Sequence, residues 1–217
     1  MAAAARPALC RSISGFSPLN LPAYHARPNS YNPTVGIGEL TDRRLPWASW
    51  NSPRSATRSE KYADKPLEKE QLDKLLECLL IAPTAKNLQP VRVYVIEGEK
   101  NLAKLDELTK CRYGAPCVLA FTYNKDEDWK NSIESGFHSG EQDVSIVATH
   151  IMLRAQELGL GTTWINWYAP VAFERAFDIP VNESSVLLMC VGYAADDAHP
   201  ARMHSETRPL DEMVRYL

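Results

Sequence analysis

From residue 61 onward the sequence predicts a layered α+β or α/β sandwich. Three observations predict it. Two segments, 68–82 and 139–158, carry apolar residues at helical spacing. Four short apolar or β-branched runs fall at 91–96, 116–123, 162–167 and 185–191. Helical and strand signals alternate along the chain, so each amphipathic helix has a sheet face to cover.

The elements follow in order. Leu72, Leu75, Leu76, Leu79 and Leu80 give the helix over 68–82 one buried face, and Pro83 stops it. Asn87 and Pro90 extend the break, and Val91–Ile96 reads as a β-branched strand. A short helix is expected over 101–110 and an apolar strand over 116–123. The long helix over 139–158 buries Val144, Val147, Ala148, Ile151, Met152 and Ala155. Gly159 follows at the position where a left-handed residue closes a helix. A strand over 162–167, a helix over 171–177 and a buried strand over 185–191 complete the domain.

Residues 1–60 read differently. They are rich in Pro, Ser, Asn, Arg and Ala and hold neither period for a useful length, so an irregular or disordered segment is expected there. The chain therefore divides into 1–60 and a folded domain over 61–217.

Composition narrows the function classes. A net charge of -3 gives no footprint for nucleic acid or for an anionic membrane. No run reaches the length of a transmembrane helix, and the N-terminus lacks a continuous apolar stretch, so the cytoplasm is the expected compartment. The five cysteines include no C-x-x-C pair. They read as free thiols, with Cys78, Cys117 and Cys190 buried in apolar runs. His138, His150, His199 and His204 do not have zinc-site spacing, so no metal is expected.

Two stretches carry chemistry. Ala82–Pro90 (A-P-T-A-K-N-L-Q-P) is a turn between two prolines that offers a hydroxyl, an amine and two amides. It reads either as a plain connector or as a rigid loop presenting donors to a polar planar ligand. Leu158–Asn166 (L-G-L-G-T-T-W-I-N) is a glycine-terminated helix running into a strand. Its glycines lie after a helix and are too closely spaced for a dinucleotide fingerprint. Trp164 reads as core or as a platform for an aromatic cofactor.

Together with A-P-C-V-L at 115–119, V-G-Y at 191–193, R-P-L-D-E-M-V at 208–214 and Tyr62-Ala-Asp-Lys-Pro66, these stretches resemble the nitroreductase family in order and spacing. The likeness spans about 61–217. It implies an α+β three-layer sandwich: a central mixed sheet flanked by helices, in a homodimer with FMN at the subunit interface. It implies a ping-pong cycle carrying hydride from NADH or NADPH through FMN to a small-molecule acceptor such as a nitroaromatic or a quinone. The catalytic chemistry would then belong to the flavin. By the same resemblance Thr84, Ala85 and Asn87 contact flavin from the partner subunit, and Gln89 braces the loop. Trp164, Ile165 and Asn166 line the ring, and Arg208 pairs with the phosphate; taken alone, Arg208 reads equally as a solvated arginine. Trp129 and Phe137, in the variable region, are candidate lid aromatics or simply packing residues.

The sequence departs from the family just before Tyr62. A basic and hydroxyl cluster is expected there to grip phosphate. Arg54, Ser55 and Arg58 have the chemistry but not the spacing, and Glu60 stands where an arginine is expected. Codons compatible with 46–60, read one base out of frame, permit an initiating methionine, an amphipathic helix and R-Y-S-V-R leading into Tyr62. Residues 1–60 are therefore consistent with an upstream and out-of-frame translation. In that case the chain would be a weakly flavin-binding or non-catalytic dimeric module.

Overall fold

The computed structural model describes residues 59–199 and 206–217. Four strands, β1 (Val91–Glu97), β2 (Cys117–Asn124), β3 (Gly161–Ile165) and β4 (Glu183–Gly192), form one sheet in the order β1-β2-β4-β3. The helices are α1 (Lys69–Leu76), α2 (Cys78–Ile81), α3 (Glu99–Asp106), α4 (Gly140–Glu157), α5 (Pro170–Ala176) and α6 (Leu210–Met213).

Side chains on β2 alternate between the two sheet faces, as a two-residue period requires. Cys117, Leu119 and Phe121 join Leu187, Met189 and Val191 of β4 beneath α1, α2 and α4, whose Leu75, Cys78, Val144, Val147 and Ile151 fill that side. Val118 and Ala120 join Leu188 and Cys190 on the opposite face, covered by Leu105 of α3 and Phe173 of α5. The result is the expected three-layer α+β sandwich. The sheet itself corrects one expectation. Among the described residues all three strand pairings are antiparallel, so the sheet is not mixed.

The expected helix over 68–82 is divided at Glu77. There the ladder tightens: the Leu80 amide reaches the Glu77 carbonyl, an i→i+3 bond, and α2 ends at Pro83. The expected helix over 101–110 lies earlier, starting after Gly98 (φ 79°) and ending at Asp106. Gly159 takes φ 73° at the end of α4, as its position foretells. Cys78, Cys111, Cys117 and Cys190 are free and buried.

The start of the described chain docks closely. The Ser59 amide donates to the Thr162 carbonyl at 3.0 Å, and the Tyr62 hydroxyl meets Thr163 Oγ1 at 2.8 Å. A Cβ at Gly161 would lie 2.9 Å from Ser59 Cβ, so that glycine is what allows the close approach.

Candidate functional site

The turn after Pro83 is under strain. Lys86, Asn87 and Gln89 all take positive φ (51°, 56° and 52°), although none is glycine. Left-handed backbone at ordinary residues costs about 1–3 kcal/mol each and persists only where the surroundings impose it. Three contacts impose it here. The Ala85 amide donates to Asp143 Oδ1 at 2.9 Å, and the Gln89 amide donates to Thr84 Oγ1 at 3.1 Å. Gln89 Nε2 donates to Asn87 Oδ1 at 3.1 Å, so Gln89 closes the turn with both its main chain and its side chain. Lys86 and Asn87 are exposed at the tip, and Asn87 spends its Oδ1 on Gln89.

Asp143 is the residue that sequence reading missed. It is buried in the first turn of α4, and its second oxygen accepts from Ser139 Oγ at 2.7 Å. Ser139 Oγ also accepts from the Trp129 amide at 3.2 Å. A buried polar network thus runs from the turn, through the start of α4, to the 129–139 segment. The sequence signal was an acidic residue inside an otherwise apolar helix face, which periodicity alone reports only as an interruption.

The second predicted group lies at the end of β3. Trp164 is half-buried against the core on the α4 face, and its Nε1 donates to Asn166 Oδ1 at 3.0 Å. Ile165 points the other way, into the core between the sheet and α5. Beside Trp164, Ile165 therefore presents its main chain rather than its side chain.

The two groups share the α4 face but neither an edge nor a level: Trp164 is level with Met189 of β4, and hence with Leu119 of β2 and Val95 of β1. β1 begins at Val91, level with Tyr123 of β2 and hence with Ser184 of β4. β3 runs toward that same end, with Ile165 level with Leu188. β1 and β3 are opposite edges of the sheet, three strand spacings apart, or about 14 Å. Arg208 is exposed in the segment that opens α6. Arg54, Ser55 and Arg58 lie outside the described residues. Phe137 is exposed and Trp129 is half-buried.

The family model described as "Nitroreductase family" matches residues 53–113 and 110–193, most of the chain. The chain belongs to the nitroreductase family. The match begins at Pro53, eight residues before the domain start expected from periodicity. Among solved structures, this family member is 33% identical to a nitroreductase family protein from Clostridium difficile 630. That comparison covers 76% of this chain and 96% of the other, with a TM-score of 0.69. An FMN-dependent nitroreductase from Clostridium difficile R20291 is 26% identical over 73% of this chain and 97% of its own, with a TM-score of 0.56. A protein from Bacillus subtilis named FMN reductase [NAD(P)H] is 31% identical over 152 residues, covering 62% of this chain and 61% of that one.

Proposed function

We propose that the protein is a flavin-dependent oxidoreductase that passes hydride from NADH or NADPH, through FMN, to a small acceptor such as a nitroaromatic or a quinone. One observation carries the reading. A strained polar turn held by α4 and a tryptophan packed on the α4 face of the sheet stand at opposite edges, so one subunit does not bring them together. Two copies of the chain, each offering one half to the other, would give two complete sites in a homodimer. Names of relatives that include FMN and NAD(P)H support the cofactor and the donor.

The residues present fit such a group. When bound, FMN supplies the hydride chemistry, and the protein need only bind, orient and polarise. Thr84, the Ala85–Asn87 main chain and the Asn87 amide would hold the ring's polar edge from one subunit. Trp164 would pack on the ring from the other. Main-chain N–H groups at Ile165 and Asn166 would stabilise negative charge there, fixed in place by a rigid strand end. Arg208 would take the phosphate, with Arg54, Ser55 and Arg58 as further candidates. The cytoplasm is the proposed compartment; no helix among the described residues is long and apolar enough to cross a membrane.

The alternative of a weak or non-catalytic flavin module is favoured by Glu60. This carboxylate is exposed, at the sequence position where an arginine of the phosphate grip is expected. One preparation separates the two readings. A yellow protein that bleaches with NADH under nitrogen is a reductase, and a yellow protein that does not bleach is a binding module. A colourless protein that takes up no added FMN overturns both. Sequencing the gene across the Glu60 codon tests the out-of-frame reading of residues 1–60, which an unbroken frame with peptides from that segment would refute.

A further inference from the structure

The turn between Pro83 and Pro90 carries one group that the proposed flavin contacts leave unused, the amine of Lys86. Its backbone is left-handed, with φ 51° and ψ 19°. Glycine adopts that conformation at no steric cost, and asparagine tolerates it because its short side chain bonds locally. Lysine has neither advantage. Asn87 and Gln89, the other two left-handed residues of the turn, bond each other through their side chains. Lys86 is exposed, and no acceptor among the described residues takes a hydrogen bond from its ammonium. A residue held in a strained conformation without a local contact to offset it points to a function for its side chain.

The main chain on both sides of Lys86 is fixed. The Asn87 amide donates to the Thr84 carbonyl at 2.9 Å, and the Leu88 amide donates to the Ala85 carbonyl at 3.1 Å. With the Ala85 amide on buried Asp143, these bonds hold the lysine stem at a set point beside Asn87. The other charges at the turn are committed. Arg92 Nη1 donates to the carbonyls of Gln89 and Val91 at 3.1 and 3.2 Å, and its Nη2 pairs with Glu127 at 2.6 Å. Asp143 is engaged by Ala85 and by Ser139. Among the described residues Lys86 is thus the uncommitted cation of this turn.

We propose that Lys86 selects acceptors that bear a carboxylate. The proposal rests on the reading that this turn holds FMN. The four-carbon stem starts one residue from Asn87, which in that reading holds the ring's polar edge. From there the ammonium meets an anionic substituent on a small aromatic lying against the ring. It does not reach the far end of a dinucleotide, so the 2′-phosphate that distinguishes NADPH from NADH is not its partner.

The test uses the full-length protein loaded with FMN, without NADH or NADPH, titrated with 4-nitrobenzoate and with the neutral 4-nitrobenzamide. The shift of the visible flavin band reports binding. The affinity ratio of acid to amide is expected to fall about fivefold in Lys86→Met, as befits an exposed ammonium, and to recover in Lys86→Arg. High salt lowers the ratio in the unaltered protein and leaves that of K86M where it is. In turnover with NADH the loss appears in KM for the acid. The Lys86 side chain bonds no described residue, so both variants are expected to fold and to keep their colour. An unchanged ratio in K86M, with or without a change in the preference between NADPH and NADH, overturns the proposal. So does a K86M protein that has lost its flavin, because the ammonium would then serve the cofactor. A full-length protein that takes up no FMN overturns the flavin reading together with this one, whereas a yellow protein whose ratio ignores Lys86 overturns this one alone.

Discussion

Replacing Asp143 with alanine tests whether the strained turn is held from α4. The carboxylate accepts two hydrogen bonds, one from the Ala85 amide and one from Ser139 Oγ, and Asp143 is only 2% exposed. Hydrogen bonds to a charged group contribute about 1.5–3 kcal/mol each, and a buried donor left unmade costs about 1–3 kcal/mol. Ser139 is buried and cannot recover its partner from water, whereas Ala85 is half-buried and recovers part. The expected loss for Asp143→Ala is therefore about 3 kcal/mol. At about 2–4 °C per kcal/mol for a domain of this size, the midpoint falls by roughly 6–12 °C. Asp143→Asn keeps an acceptor for Ala85, and its NH₂ can donate to a rotated Ser139 hydroxyl, so it should lose less than half as much. Thermal and urea unfolding of the three proteins measures this. A loss below about 1 kcal/mol for the alanine variant would show that the positive φ values at Lys86, Asn87 and Gln89 are held without α4, and the positioning role given to Asp143 would be wrong.

Asn87→Gly keeps the left-handed backbone and removes only the side-chain amide. Titration with FMN should show about tenfold weaker binding with stability changed by less than about 1 kcal/mol; unchanged FMN affinity would remove Asn87 from the site. Gly140→Ala places a Cβ 2.3 Å from Tyr123 Cδ2, an overlap that should cost about 1–3 kcal/mol in urea unfolding because the ring is buried in a packed wall. Alkaline pH should destabilise the fold. Burial pushes the Cys190 thiol up to about 12, drives the Cys117 thiol higher still, and, with the Glu183 hydrogen bond, raises the Tyr94 hydroxyl to about 12. The folded state holds these protons more tightly than the unfolded chain, so the stability is intact below pH 9. It declines between about pH 9 and 12, by up to about 1.4 kcal/mol per pH unit for each proton released only on unfolding. The same burial should leave Cys117 and Cys190 unmodified by a thiol reagent at pH 8 until denaturant is added.

The local signals in this chain determined its elements. Helical spacing placed the long helix, and β-branched or apolar runs placed the four described strands, to within a few residues, because burial is written into consecutive side chains. Gly159 and Pro83 marked boundaries for the same reason: their backbone limits are intrinsic. The turn at 83–90 and the strand at Trp164 were legible as candidate chemistry from residue type and order. Tertiary structure alone decided the rest. The antiparallel order β1-β2-β4-β3 sets Trp164 and Asn87 on opposite edges, which depends on strand pairing between distant segments. The side of the sheet taken by Ile165 follows from that register. Asp143 reaches Ala85 across 58 positions of sequence, and His138 meets Asp128 and Tyr123 only after β2 and α4 have packed. Such contacts arise from the folding of separated segments into one space, and no period along the chain records them.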